Sequence, residues 1–253
     1  RDFTVNTLAI SLQSDQFGDL LDHWGGLKDL EDKRLRVLHS LSFVDDPTRM
    51  LRAVRLEQRL GFQIERGSAE LMELALPLLA RVSGDRIRHE IEHIFAEAAP
   101  ETMLARLDEL SVPGALHSAW NGHADTWLAE RFVEARERAL WDELPAIYFG
   151  LWVYRLEWPD TEVICRLLKV TSVTMRVLKE NLRVKTGLES LEESDKPSKV
   201  VRVLDGCSDV TMHVVSLAEN ENVRESIQCY RDEYRHVKPT IGGAELIARG
   251  VSP

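Results

Sequence analysis

Asp45, Asp46, Pro47, Thr48, Arg49, Met50, Leu51, Arg52 and Ala53 place an acid and two arginines at three-residue intervals. Pro47 pre-sets φ for a first helical turn and lacks only an N–H that would be unpaired there, while Asp46 before it can cap the exposed amides. A helix is therefore expected over residues 47–60, with Gly61 as its left-handed stop before a short extended segment at 62–65. At 3.6 residues per turn, Asp46, Arg49 and Arg52 fall near one face, Arg55 more loosely, and Met50, Leu51 and Val54 on others. One face thus offers a carboxylate acceptor beside guanidinium donors. Such a fork can read the hydrogen-bonding edge of a base, and a further arginine can hold phosphate bidentately. The same residues also fit a helix cap with an i,i+3 ion pair on a solvated face, an arrangement that is common and weak.

The elements that would position this face are short at first and helical afterwards. Asp2 and Asn6 at i,i+4 suit a helical turn, although the β-formers at 3–5 leave an all-strand start open. A strand at 8–12, a turn at 15–18, a short strand at 20–22, a short helix at 27–33 behind Gly25 and Gly26, and a strand at 35–38 complete the opening. Helical patterns then follow at 68–79, with Ser68 as cap, and at 84–98, 100–110, 124–141, 145–157, 160–168, 172–182, 196–206, 208–218 and 221–235. Pro113, Gly114 and Pro159 read as breaks, and the Glu- and Ser-rich stretch 187–197 as an exposed linker. Trp141, Tyr148, Trp152, Tyr154 and Trp158 are spaced for packing between helices. His117, His123, Trp120 and Trp127 show no ligand spacing, Arg86 and Glu90 at i,i+4 suggest a local ion pair, and the charges from Asp29 to Arg34 read as a solvated face.

Composition narrows the class without naming it. The 253 residues are 44% apolar and can bury a sizeable core. Three cysteines without Cys-x-x-Cys spacing indicate neither a disulfide framework nor a zinc site and fit a reducing cytoplasm. No apolar run is long enough for a membrane span. A net charge of −10 disfavours broad affinity for nucleic acid, yet residues 34–92 carry ten arginines and no lysine against nine acids. A small arginine-rich cleft in an acidic protein suits a nucleotide better than a long RNA.

Three further blocks convert the helix start into a family signature. The sequence opens Arg1, Asp2, Phe3, Thr4, Val5, Asn6, Thr7, continues through Asp22, His23, Trp24, Gly25, Gly26, Leu27, Lys28, Asp29, Leu30, and later has Ser83, Gly84, Asp85, Arg86, Ile87, Arg88, His89, Glu90. With Asp45 to Ala53, these resemble the Arg-Arg-Asp-Phe-Thr-x-Asn-Ala, Gly-Gly-x-x-Asp-Leu, Glu-Asp-x-x-Arg and Ser-x-Glu-Arg-Ile-x-x-Glu segments of bacterial-type (class II) tRNA nucleotidyltransferases and bacterial poly(A) polymerases, members of the polymerase-β-like nucleotidyltransferase superfamily. The close resemblance covers residues 1–95, with a looser match at 239–250 to a Pro-x-x-x-Gly-x-x-Leu-x-x-x-Gly segment.

The resemblance implies a mainly α fold: the trailing part of a nucleotidyltransferase α/β head over 1–45, a helical neck with the base-recognition helix over 46–110, a helical body over 111–190 and a helical tail over 191–253. It implies that Asp46 and Arg49 form the template for an incoming ATP or CTP base, that Arg52 and Arg1 reach the triphosphate, and that Asp2 and Asn6 lie near the ribose. Asp45 stands where the family has Glu, which touches a secondary contact. The family's first motif, a glycine turn followed by the Asp-x-Asp that holds two Mg²⁺, does not occur in this sequence. The chain is therefore expected to be a piece of a longer enzyme, inactive by itself, with no catalytic or metal-binding residue of its own and with an exposed apolar sheet face where further head strands would pack. The implied reaction is addition of C or A of the CCA terminus to the tRNA 3′ end in the cytoplasm, with no membrane partner. Poly(A) polymerisation, or a noncatalytic RNA-binding module that keeps a nucleotide pocket, are the alternatives.

Overall fold

Short strands and turns precede a long succession of helices, and a computed structural model describes residues 2–138, 143–192 and 197–237 of them. Arg1, Trp141 and the 239–250 match lie outside the described residues, as does part of the 187–197 stretch. A 3-10 turn at Thr4–Asn6 leads to β1 (Ala9–Ile10), β2 (Leu20–Leu21), α1 (Gly26–Glu31), β3 (Arg34–Leu35), α2 (Ser42–Asp45), α3 (Arg49–Leu60) and β4 (Gln63–Ile64). Then come α4 (Arg66–Ala75), α5 (Gly84–Phe95), α6 (Pro100–Glu109), α7 (Val112–Leu116), α8 (Thr126–Glu137), α9 (Leu144–Val153), α10 (Trp158–Leu167) and α11 (Ser172–Thr186). The last are α12 (Leu188–Glu192), α13 (Pro197–Leu204), α14 (Asp209–Ala218) and α15 (Glu221–Asp232). The fold is mainly α, as the sequence implied. Two compact units are present, one up to Arg176 and one from Val177, and the division falls inside α11. Among the described residues no helix is long and apolar enough to cross a membrane.

The opening residues are fastened to α1 and to the residues after β3 by a few directional contacts. Phe3 is buried and bridges Val37 in antiparallel fashion, and the Thr4 amide donates to the Arg36 carbonyl at 3.0 Å. Thr4 Oγ1 donates to Asp29 Oδ2 at 2.6 Å, and Arg36 Nε donates to the same oxygen at 3.0 Å. Asp29 is thus buried and not part of a solvated face, because it satisfies two donors that the turn would otherwise leave unpaired. A Cβ on Gly26 would lie 2.4 Å from the Thr4 carbonyl oxygen, so only glycine lets α1 approach this turn. The strands are shorter than the sequence suggested: β1 pairs antiparallel with β2, Ala9 opposite Leu21, and β3 pairs parallel with β4, Arg34 opposite Gln63. Ile10, Leu12, Phe17, Leu20 and Trp24 are exposed, which is the apolar face expected near the hairpin.

Helix boundaries correct several expectations. Glu65, not Ser68, caps α4: its carboxylate accepts from the Ser68 amide at 2.8 Å, while Ser68 is buried and its Oγ accepts from the Val37 amide at 3.2 Å. Pro113 and Pro159 occupy first turns of α7 and α10 instead of breaking them, since an N–H is dispensable there. In the body, Phe132 stacks on Tyr148 at 4.1 Å between centroids, Phe95 meets both rings and Trp152, and Trp120 lies 4.4 Å from Trp152. Of the aromatics whose spacing predicted packing, Tyr148, Trp152 and Tyr154 are buried and Trp158 is half-buried, and Phe95, Trp120 and Phe132 complete the core. In the second unit, Glu180 Oε2 gathers the Ser208 amide and hydroxyl at 2.8 and 2.7 Å and the Thr211 hydroxyl at 2.7 Å, tying α11 to the start of α14.

Candidate nucleotide-binding site

Asp46 is extended (φ −145, ψ 95), between the short α2 and the first turn of α3. Its Oδ1 accepts from the Thr48 amide at 3.1 Å and the Thr48 hydroxyl at 2.6 Å, an Asx-type turn that Asp-Pro-Thr favours. The α3 helix proper therefore begins at Arg49, two residues later than the sequence suggested, with turn residues at 47 and 48. Gly61 closes it at φ 64, and Glu57 on its buried side accepts from the Ile64 amide and Arg106 Nε, each at 2.9 Å, fixing β4 and α6 against it.

Around this helix start, three carboxylates and three guanidiniums form one network. Arg49 Nε donates to Asp2 Oδ1 at 2.9 Å and its Nη1 donates to the Ser42 carbonyl at 3.0 Å. Arg52 sits at the centre: Nε donates to Glu90 Oε1 at 2.8 Å, Nη1 to Asp2 Oδ2 at 2.8 Å, and Nη2 to Thr48 Oγ1 at 3.1 Å and Asp46 Oδ2 at 3.4 Å. Arg86 Nη2 reaches Asp46 Oδ1 at 2.8 Å. Arg86 and Glu90 thus bind two different partners, Asp46 just before α3 and Arg52 within it, and not one another, correcting the local ion pair read from their spacing. Burial raises the Asp46 pKa, but the Thr48 hydrogen bonds and the charges of Arg86 and Arg52 outweigh it and hold the carboxyl below its usual range. Burial likewise lowers Arg52, and its bonds to Glu90 and Asp2 reverse this and push it up.

Of the residues singled out from the sequence, Asp2, Asp46, Arg49 and Arg52 come together. Asn6 is exposed at the end of the 3-10 turn, and Asp2 precedes that turn instead of sharing a helical face with it. Arg52 is committed to three carboxylates, so a triphosphate would have to displace one of them. Thr48, Arg86 and Glu90 were missed as members of the site. The signal available was their position in recurrent polar blocks, but their partners lie 38 to 40 residues away in sequence for the α5 pair.

The arrangement leaves some bonding capacity unused. Asp46 and Arg49 side chains are 17% and 18% exposed, neither sealed in hydrocarbon nor free to swing. Among the described residues nothing accepts from Arg49 Nη2, and Asp46 Oδ2 carries only the long contact to Arg52. One donor and one acceptor, each held by its own neighbours, can meet an amino group and an adjacent ring nitrogen. The site does not suit a divalent cation. Asp2, Asp46 and Glu90 are each occupied by guanidinium donors, and among the described residues no three His, Cys, Asp or Glu side chains group as ligands.

Comparison with known proteins agrees with this architecture along the chain. Residues 1–36 match the family described as "Poly A polymerase head domain" and residues 61–113 the family described as "Probable RNA and SrmB- binding site of polymerase A". The A-adding tRNA nucleotidyltransferase of Geobacter sulfurreducens is 33% identical over 99% of this chain, and that of Aquifex aeolicus 32% over 94%. The chain spans about 30% of the length of these curated relatives. A solved CCA-adding enzyme in complex with CTP superposes with a TM-score of 0.79 at 28% identity, over 100% of this chain and 63% of that one. The Thermotoga maritima CCA-adding enzyme complexed with tRNA gives 0.77 at 27% identity, over 100% and 64%. The chain belongs to the family of tRNA nucleotidyltransferases and bacterial poly(A) polymerases.

Proposed function

We propose that this chain supplies the base-selecting site and helical body of an enzyme that adds nucleotides to the 3′ end of tRNA from ATP or CTP. The observation that supports the reading is the bonding capacity left at Asp46 Oδ2 and at Arg49 Nη2, on side chains otherwise held by their neighbours in one network. Asp46 accepts from the exocyclic amino group of adenine or cytosine, and Arg49 donates to the neighbouring ring nitrogen. Guanine and uracil present the opposite donor and acceptor order and are rejected. Asp2 holds Arg49 by Nε, and Thr48 with Arg86 holds Asp46, so little side-chain freedom is lost when the base arrives. Phosphoryl transfer itself would need Mg²⁺ to neutralise charge on the triphosphate, whereas Asp2, Asp46 and Glu90 are occupied by guanidinium donors.

A-adding specificity is favoured within this reading, because two relatives of that name align along 99% and 94% of the chain and a third along 46%, while CC-adding relatives align along 50% and 37%. The reaction belongs in the cytoplasm, where tRNA is processed. The test uses the full-length protein with labelled ATP or CTP and tRNAs ending before, within and after CC. The expected result is incorporation of AMP onto tRNA ending in CC, with Arg49→Ala lowering kcat/KM by about 10- to 100-fold, the scale of one bidentate base contact. Incorporation of CMP would move the protein to the CC-adding class, and extension of RNAs without a CC end to poly(A) synthesis. Nucleotide binding without transfer would make it a noncatalytic RNA-binding module. Wild-type nucleotide preference in Arg49→Ala would overturn the base-selecting role.

A further inference from the structure

The α5 helix carries two sets of side chains on different faces. Arg86 and Glu90 point to the recognition helix, where they hold Asp46 and Arg52. Asp85 and Arg88 point to the C-terminal cap of α10: Lys169 Nζ donates to Asp85 Oδ2 at 2.9 Å and Arg88 Nη1 donates to the Lys169 carbonyl at 3.2 Å. Lys169 itself is in the left-handed region at φ 50, a conformation unfavourable for a residue with a Cβ. It ends α10 in a tight turn, with the Val170 amide donating to the Cys165 carbonyl at 3.1 Å. Ahead of both sets stands Gly84, the first residue of α5. A Cβ there would lie 1.7 Å from the Leu167 carbonyl oxygen and 3.0 Å from the Leu168 Cα, both backbone atoms that cannot move aside as a side-chain tip would.

We infer that Gly84 is a specificity-determining positioning residue: its missing side chain seats the end of α10 against the first turn of α5, and that seating sets where Arg86 and Glu90 grip the base template. The inference rests on the base-selecting reading of Asp46 and Arg49. Gly84 touches no nucleotide, and it acts through the placement of α5. The exposed contact of Asp85 with Lys169 closes over the backbone approach at Gly84, and the registration needs both.

In the full-length protein, Gly84→Ala must displace α5 by on the order of 1 Å, and a misplacement of that size lowers kcat/KM by about 100-fold. The preference for the favoured nucleotide over GTP and UTP falls with it, while the melting temperature identifies whether the variant is folded. A folded Gly84→Ala protein with wild-type nucleotide preference overturns the inference. If that variant does not fold, Asp85→Asn combined with Lys169→Met opens the same joint without adding a Cβ. It is expected to weaken the preference by about two- to fivefold, the scale of an exposed ion pair, and Asp85→Lys with Lys169→Asp to restore it. An unchanged preference in the double variant overturns the inference as well. Arg49→Ala assayed in parallel separates the two ideas: if it also keeps the preference, the base-selecting reading has failed, and if it alone loses the preference, only the role of Gly84 has.

Discussion

The polar network around Asp46 and the aromatic core around Phe132 share one helix, α5, and are built on opposite physical terms. Phe95 at the end of α5 packs edge-on against Phe132 and Trp152, and these contacts are stabilised by shape and by apolar area removed from water. Arg86 and Glu90 on the same helix each hold a single charged partner at 2.8 Å. The aromatic region tolerates small sliding and supplies stability. The polar region supplies direction: each contact joins a defined donor to a defined acceptor, and the partly buried charges would be unfavourable if a partner were removed. A recognition surface needs the second kind of construction, and it borrows its stability from the first.

Substitutions can break that contrast. Phe132→Ala should have the largest effect on stability, about 3 to 5 kcal/mol by thermal or denaturant unfolding, because it empties the stack on Tyr148. Nucleotide preference of the full-length protein, assayed well below its melting temperature, should be retained. A parallel loss of preference would show that the two regions are one unit. Glu90→Gln should destabilise less, by about 1 to 3 kcal/mol, since Arg52 would face one fewer carboxylate in a part-buried place. It should also reduce nucleotide preference, the reverse of the Phe132 pattern. Acid should have the smallest effect, and a specific one. The Asp46 carboxyl is held below its ordinary value near about 3.9, so its contribution is fully present above that pH and is lost as pH falls through the lowered folded value. Unfolding monitored from pH 6 downward, a range beginning about 2 units above that value, should show this loss in the native protein and not in Asp46→Asn.

The same contrast explains what could be read in the sequence. The aromatic core was legible because burial follows from residue type and helical spacing, and Tyr148 and Trp152 needed no particular partner to be placed inside. Asp46, Arg49 and Arg52 were legible as a shared face, since a helical period fixes which side chains are neighbours. Their bonding partners were not. Asp2 lies 47 residues from Arg49, and local spacing made Arg86 and Glu90 look like partners of one another. Directional contacts across such separations depend on where whole helices dock, and periodicity within one helix is silent about that. Asp29 was misread for the same reason, as its place in a charged run gave no sign of Thr4 and Arg36 closing over it. The two-residue strands were overextended because an apolar run such as 8–12 does not distinguish a paired backbone from an unpaired one. Pro113 and Pro159 were taken for interruptions because proline starts helices as readily as it stops them.

The carboxylate of Asp2 is shared by Arg49 and Arg52, whose own alignment is completed by Glu90. Translation delivers these groups in order, so Asp2 and Phe3 leave the ribosome long before the side chains that anchor them exist. At about 5 to 20 residues per second, the interval to Glu90 lasts several seconds. Through that interval Asp2 has no finished resting place, and a chaperone that shields this turn until α5 emerges would find its substrate there.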